Sequence, residues 1–89
     1  MARKTYKVEL TPSAARSIRK VERGAQVRIA RAIDSLAETP RPHGAIKLSA
    51  ADEIYRLRVG DYRILYQIVD KVLLVIVIAV GHRKEVYRR

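Results

Sequence analysis

The chain has 89 residues, and nineteen Lys plus Arg against nine Asp plus Glu leave it at a formal +10. A single small domain over residues 1–89 is expected, with one modest core that cannot also enclose a large cofactor. Cysteine is absent, which excludes disulfides and thiolate zinc sites, and two histidines, His43 and His82, are too few for a histidine-built metal centre. Neither a metal nor an organic cofactor is expected.

The longest apolar run, Val72 to Val80, has nine residues, whereas a membrane-spanning helix needs about 20. No apolar stretch follows the charged opening MARKTYKVEL, so no secretory signal is read and a cytoplasmic site is expected. Nine carboxylates cannot neutralise nineteen cations, and the surplus field suits a polyanion, with nucleic acid the first candidate.

In chain order, Tyr6, Val8 and Leu10 alternate with Thr5, Lys7 and Glu9, the period-2 pattern of a half-buried strand. Thr11-Pro12 then reads as a helix start, with Thr11 as N-cap and Pro12 in the first turn. Ala14, Ala15, Ile18 and Val21 recur at helical spacing until Gly24, which is expected to end the helix in the left-handed region. A second helix is expected from about Ala25 to Ala37 on Ile29, Ile33 and Leu36, stopping before Pro40 and Pro42.

From Ile46 onward the period is two and β-branched residues dominate. Gly60-Asp61 is expected to close a hairpin between Tyr55 to Val59 and Tyr62 to Val69 through a type II′ turn. Asp70-Lys71 is expected to join the second of these strands to Val72 to Val80. The expected fold is therefore α+β, in the order β-α-α-β-β-β, with both helices on one face of a small, mainly antiparallel sheet.

The first hairpin fixes a surface. With Gly60 and Asp61 in the loop, Arg58 lies opposite Arg63 and Arg56 opposite Leu65, so Arg56, Arg58 and Arg63 project from one face. Tyr55, Leu57, Val59, Tyr62, Ile64 and Tyr66 take the other, which suits the helices. Like charges directly across a strand pair cost roughly a few tenths to 1 kcal/mol, a penalty that a bound polyanion would relieve. Arg63 is read as exposed, so removing it is expected to spare the fold.

The chain ends in a second basic cluster, Gly81 to Arg89, containing His82, Arg83, Lys84 and Tyr87. Strand parity counted from the Asp70-Lys71 turn puts Arg83 on the face opposite Arg63, although Gly81 permits a bend that redirects it. Guanidinium groups hold phosphates bidentately and neutralise charge in a phosphoryl transition state, but are poor bases. Proton transfer then falls to Tyr87, His82 or a lysine. A 2′-hydroxyl of RNA supplies its own nucleophile, so a base, an acid and phosphate clamps suffice without a metal.

The stretch YRLRVGDYRILY followed by GHRKEVY, with the basic helical hairpin before it, resembles the RelE/ParE superfamily of toxins, and RelE more than ParE. The resemblance covers nearly the whole chain. It implies the toxin of a type II toxin-antitoxin system: a ribosome-dependent endoribonuclease that cuts mRNA in the A site and leaves a 2′,3′-cyclic phosphate. It also implies Arg63 and Arg83 as transition-state clamps, Arg58 as a charge neutraliser, and Tyr87 as the group that stacks on the base and moves a proton. Arg56, Lys47, His82 and Lys84 are expected to contact RNA phosphates. Arg56 and Arg58 stand where RelE toxins carry lysines, which leaves Tyr87, then His82, as the candidate base. The implied partners are a RelB-like or other type II antitoxin and the ribosome with its mRNA and rRNA. Operator DNA would be met only through the toxin-antitoxin complex, and no membrane is involved. The alternative is a ParE-like protein that poisons DNA gyrase by binding, without cutting RNA.

Overall fold

The computed structural model describes residues 5–82, which form two helices and a five-stranded sheet. Strand β1 (Lys7–Leu10) leads into α1 (Pro12–Arg19) and α2 (Arg23–Ser35), and then come β2 (Ile46–Ser49), β3 (Ile54–Val59), β4 (Tyr62–Val69) and β5 (Leu74–His82). The sheet order is β1-β5-β4-β3-β2, with β1 parallel to β5 and every other neighbour antiparallel. The α+β class and the placement of the helices agree with the sequence reading. The sheet carries one strand more than expected, because Ile46–Ser49 pairs with β3 as a short edge.

Thr11 caps α1 as expected, its hydroxyl accepting the Ala14 N–H at 3.1 Å. Gly24 does not end that helix. It sits in the first turn of α2, where its N–H donates to the Glu22 carboxylate at 3.0 Å. The end of α1 is closed instead by the Gln26 side-chain amide, which donates to the carbonyls of Ile18 and Val21, both at 3.0 Å. A side chain from the next helix thus satisfies the orphan carbonyls that a glycine turn usually would.

The core lies between the helices and the sheet: Ala14, Ile29, Ile33 and Leu36 on one side, and Tyr55, Ile64, Tyr66, Ile68, Val75, Val77 and Val80 on the other. Period-2 alternation, interrupted by one extra residue between Val77 and Val80, puts these sheet residues on one face, and each aliphatic side chain buried there contributes about 1.5–3 kcal/mol. Tyr66 is fully buried, stacks on Tyr55 with ring centroids 5.8 Å apart, and donates its hydroxyl to the Pro40 carbonyl at 2.8 Å. Burial pushes its phenol from 10.0 up to about 12. A raised folded-state pKa means that this contribution to stability is whole below pH 10 and is lost as the pH rises through about 12. Urea unfolding followed by circular dichroism is expected to show that alkaline loss in the wild type and a smaller one in Tyr66→Phe. At neutral pH, Tyr66→Phe is expected to cost about 1–2 kcal/mol for the unmet Pro40 carbonyl.

The β4–β5 connection departs from the sequence reading in two ways. Val69 pairs with Leu74, so the loop has four residues rather than two, and it turns through Leu73 at φ 51°. Farther on, Leu65 pairs with Ala79 but Tyr66 with Val77, leaving Ile78 as the extra residue of a β-bulge. The Ile78 carbonyl accepts the Thr11 hydroxyl at 2.7 Å, and the Val77 carbonyl accepts the Thr11 N–H at 3.0 Å.

Candidate functional site

The β3–β4 hairpin turns on Gly60 at φ 58°, a left-handed conformation that favours glycine, with Asp61 completing the two-residue loop. The resulting register pairs Val59 with Tyr62, Arg58 with Arg63, Leu57 with Ile64 and Arg56 with Leu65. Arg56, Arg58 and Arg63 accordingly share the face turned away from the helices. They differ in depth: Arg58 is exposed, Arg56 is half-buried, and Arg63 is only 2% accessible. The expectation of an exposed Arg63 is corrected here. Alternation along a strand assigns Arg63 to a face and does not fix its depth there.

Two residues expected with the arginines lie on the other face. Lys47 pairs with the core residue Tyr55, stands 5.9 Å from its ring centre, and bridges to Glu53 at 3.1 Å. Arg41 holds the same carboxylate at 2.9 Å and also reaches Asp70 at 2.7 Å. These partners keep the Glu53 carboxyl below the usual carboxylate range, Arg41 contributing most, and Glu53 in turn raises the Lys47 ammonium above its ordinary value. Lys47 therefore belongs to a charge network that ties the Pro-rich loop to the sheet.

His82 pairs with Tyr62 and meets its ring edge-on, with centroids 5.1 Å apart. Both side chains, with Val80, Ser17, Lys20 and Val21, line a groove of about 300 Å³ beside α1. His82 is thus on the helix side of the sheet and does not face the arginines. The parity count is corrected as far as Gly81. The bulge at Ile78 shifts the pairing by one, so that Gly81 lies directly across from Arg63. Arg83, Lys84 and Tyr87 lie outside the described residues.

One residue near the site is not evident in the sequence pattern. Arg28 of α2 reaches the hairpin tip, where a Cβ added at Gly60 would stand 3.8 Å from its Nη2. The arrangement as a whole offers guanidinium groups at graded depth along one strand pair, suited to gripping an anion and poorly suited to removing a proton.

The family model for the ParE toxin of the type II toxin-antitoxin system, parDE, matches residues 8–87. The chain belongs to that family and, with it, to the RelE/ParE superfamily of type II toxins. A RelE-like toxin protein of Escherichia coli is 28% identical over 81 residues, which cover 89% of this chain and 84% of that one. The isolated E. coli RelE toxin is 28% identical with a TM-score of 0.76, over 92% of this chain and 90% of that one. The toxin of the RelBE2 toxin-antitoxin complex from Mycobacterium tuberculosis gives 26% and 0.77, over 89% and 92%. The archaeal RelE-RelB complex from Pyrococcus horikoshii shares the fold, at 21% identity and a TM-score of 0.79 over 96% and 99%. Among the described residues no helix is long and apolar enough to cross a membrane.

Proposed function

We propose that this toxin is a ribosome-dependent endoribonuclease that cuts mRNA in the A site, acts in the cytoplasm and is neutralised by a cognate antitoxin. The observation that carries the reading is Arg58 directly opposite Arg63, with Arg56 on the same face. The two like charges across one strand pair are unfavourable for the fold and favourable for a phosphodiester. The solved complexes of RelE-type relatives with RelB support a partner of the same kind here.

In this mechanism the 2′-oxygen attacks the adjacent phosphorus and the bond to the 5′-oxygen breaks. The 2′-hydroxyl proton passes to a base, and the leaving 5′-oxygen gains one. The products are a 2′,3′-cyclic phosphate and a 5′-hydroxyl, with no metal taking part. Arg58, Arg63 and Arg83 neutralise the phosphorane, and Arg56 and Lys84 hold flanking phosphates. Since His82 faces the helices, Tyr87 is the base of choice. Lys47 and His82 are left to meet surrounding rRNA.

Tyr87→Phe keeps a ring for stacking and removes the proton. General acid-base catalysis is worth about 10²–10⁴-fold, so single-turnover cleavage on programmed ribosomes is expected to fall at least 100-fold with ribosome binding unchanged. An undiminished rate would assign proton transfer to the ribosome.

The second reading, a gyrase poison, is favoured by the match to the ParE toxin family. Incubating the purified protein with programmed ribosomes, with a gyrase supercoiling assay in parallel, separates the two. New mRNA ends with unaffected supercoiling support the nuclease, and the reverse result supports the gyrase poison.

A further inference from the structure

The bulge at Ile78 decides which residues of β5 share a face with Arg63. Before it, Tyr66 pairs with Val77 and Ile68 with Val75; beyond it, Arg63 pairs with Gly81 and Tyr62 with His82. Without the extra residue the earlier register would continue, placing Val80 across from Arg63 and Gly81 across from Tyr62. Gly81 stands two residues before Arg83 in the sequence.

One side chain meets the bulge from another part of the chain. Thr11 lies between β1 and α1 as the helix N-cap, 67 positions away in the sequence from Ile78. Its hydroxyl oxygen accepts the Ala14 N–H at 3.1 Å while its proton goes to the Ile78 carbonyl at 2.7 Å, and its own N–H goes to the Val77 carbonyl at 3.0 Å. A bulge leaves its extra residue outside the regular ladder. Here the Thr11 hydroxyl takes up that residue's carbonyl. A helix cap alone needs only an acceptor, so serine, aspartate or asparagine would serve equally. The contact with Ile78 needs a donor as well, and a hydroxyl supplies both.

We propose that Thr11 is a positioning residue for the arginine face: its hydroxyl holds the Ile78 bulge and thereby sets the register that brings Gly81 opposite Arg63. Its consequence for RNA cutting rests on the nuclease reading above. The register itself does not.

The discriminating substitution is Thr11→Asp, which keeps a strong cap acceptor for Ala14 but has no proton for the Ile78 carbonyl. Thr11→Ser keeps both. Cross-strand NOEs measured on the full chain read the register directly. Wild type and Thr11→Ser are expected to show Arg63–Gly81 and Tyr62–His82 contacts and mRNA cutting within threefold of each other. Thr11→Asp is expected to lose or weaken these contacts and to cut at least tenfold more slowly, with the far-UV spectrum retained. Should Thr11→Asp fail to fold, Thr11→Val, which keeps the branched shape without hydroxyl or charge, is read in its place, and intact Arg63–Gly81 contacts in that variant would overturn the proposal. Intact Arg63–Gly81 and Tyr62–His82 contacts in Thr11→Asp would overturn it. So would a shifted register with undiminished cutting. A wild type that cuts no mRNA sinks the nuclease reading alone, because the NOE comparison still decides the role of Thr11.

Discussion

Arg63→Ala is expected to reduce mRNA cleavage by about 10²–10³-fold, the usual loss when one preorganised transition-state donor is removed. It is also expected to destabilise the protein. Arg63 is 2% accessible on a central strand, so truncation empties the volume of a long side chain. By comparison with other large-to-small changes at buried sites, the cost is about 2–5 kcal/mol. Arg63→Met separates the two effects, since it restores most of the volume without the charge. Urea unfolding should place Arg63→Met between wild type and Arg63→Ala, while cleavage by Arg63→Met should be as low as that by Arg63→Ala. A Met variant that cuts mRNA at the wild-type rate would remove Arg63 from the chemistry and leave it a packing role.

Arg58→Glu is expected to move stability and activity in opposite directions. Arg58 is exposed and lies directly across from Arg63, so reversing its charge turns a repulsive cross-strand pair into an attractive one. The gain is about 0.2–1 kcal/mol, which for a domain of this size raises Tm by a few degrees. The same change puts a carboxylate where a phosphate should bind, and cleavage is expected to fall more than 100-fold. Arg58→Ala should lie between the two in both properties. Calorimetry and the ribosome assay test this together, and a Glu variant less stable than wild type would show that the facing arginines are not in conflict.

These expectations rest partly on what was legible in the sequence. The register of the first hairpin follows from Gly60-Asp61, because a two-residue turn leaves one pairing available and a single face for Arg56, Arg58 and Arg63. The core face follows from the alternation of Tyr55, Ile64 and Tyr66. The depth of Arg63 does not follow, since alternation assigns a side chain to a face without saying what else covers that face. The bulge at Ile78 was also invisible: the run Val72 to Val80 is uniformly apolar, and its hydrogen-bond partner Thr11 belongs to the other end of the chain. Gly24 departs from its expected place for a related reason. Glu22 and Gln26 supply the caps through side chains, leaving the glycine inside the second helix rather than after the first. Lys47 is expected from the sequence to contact RNA phosphates, while its partner Glu53 sits at φ 53°, a backbone conformation that no sequence pattern announces.

The claim on which the functional account depends is that the arginine face breaks an RNA phosphodiester by attack of the neighbouring 2′-oxygen. The most direct measurement is the chemical identity of the 3′ end released from a programmed ribosome after incubation with the purified toxin. A 2′,3′-cyclic phosphate on a fragment ending within the A-site codon, absent with Arg58→Glu, is the predicted result. Intact mRNA, or a cut ending in a 3′-hydroxyl, would contradict it.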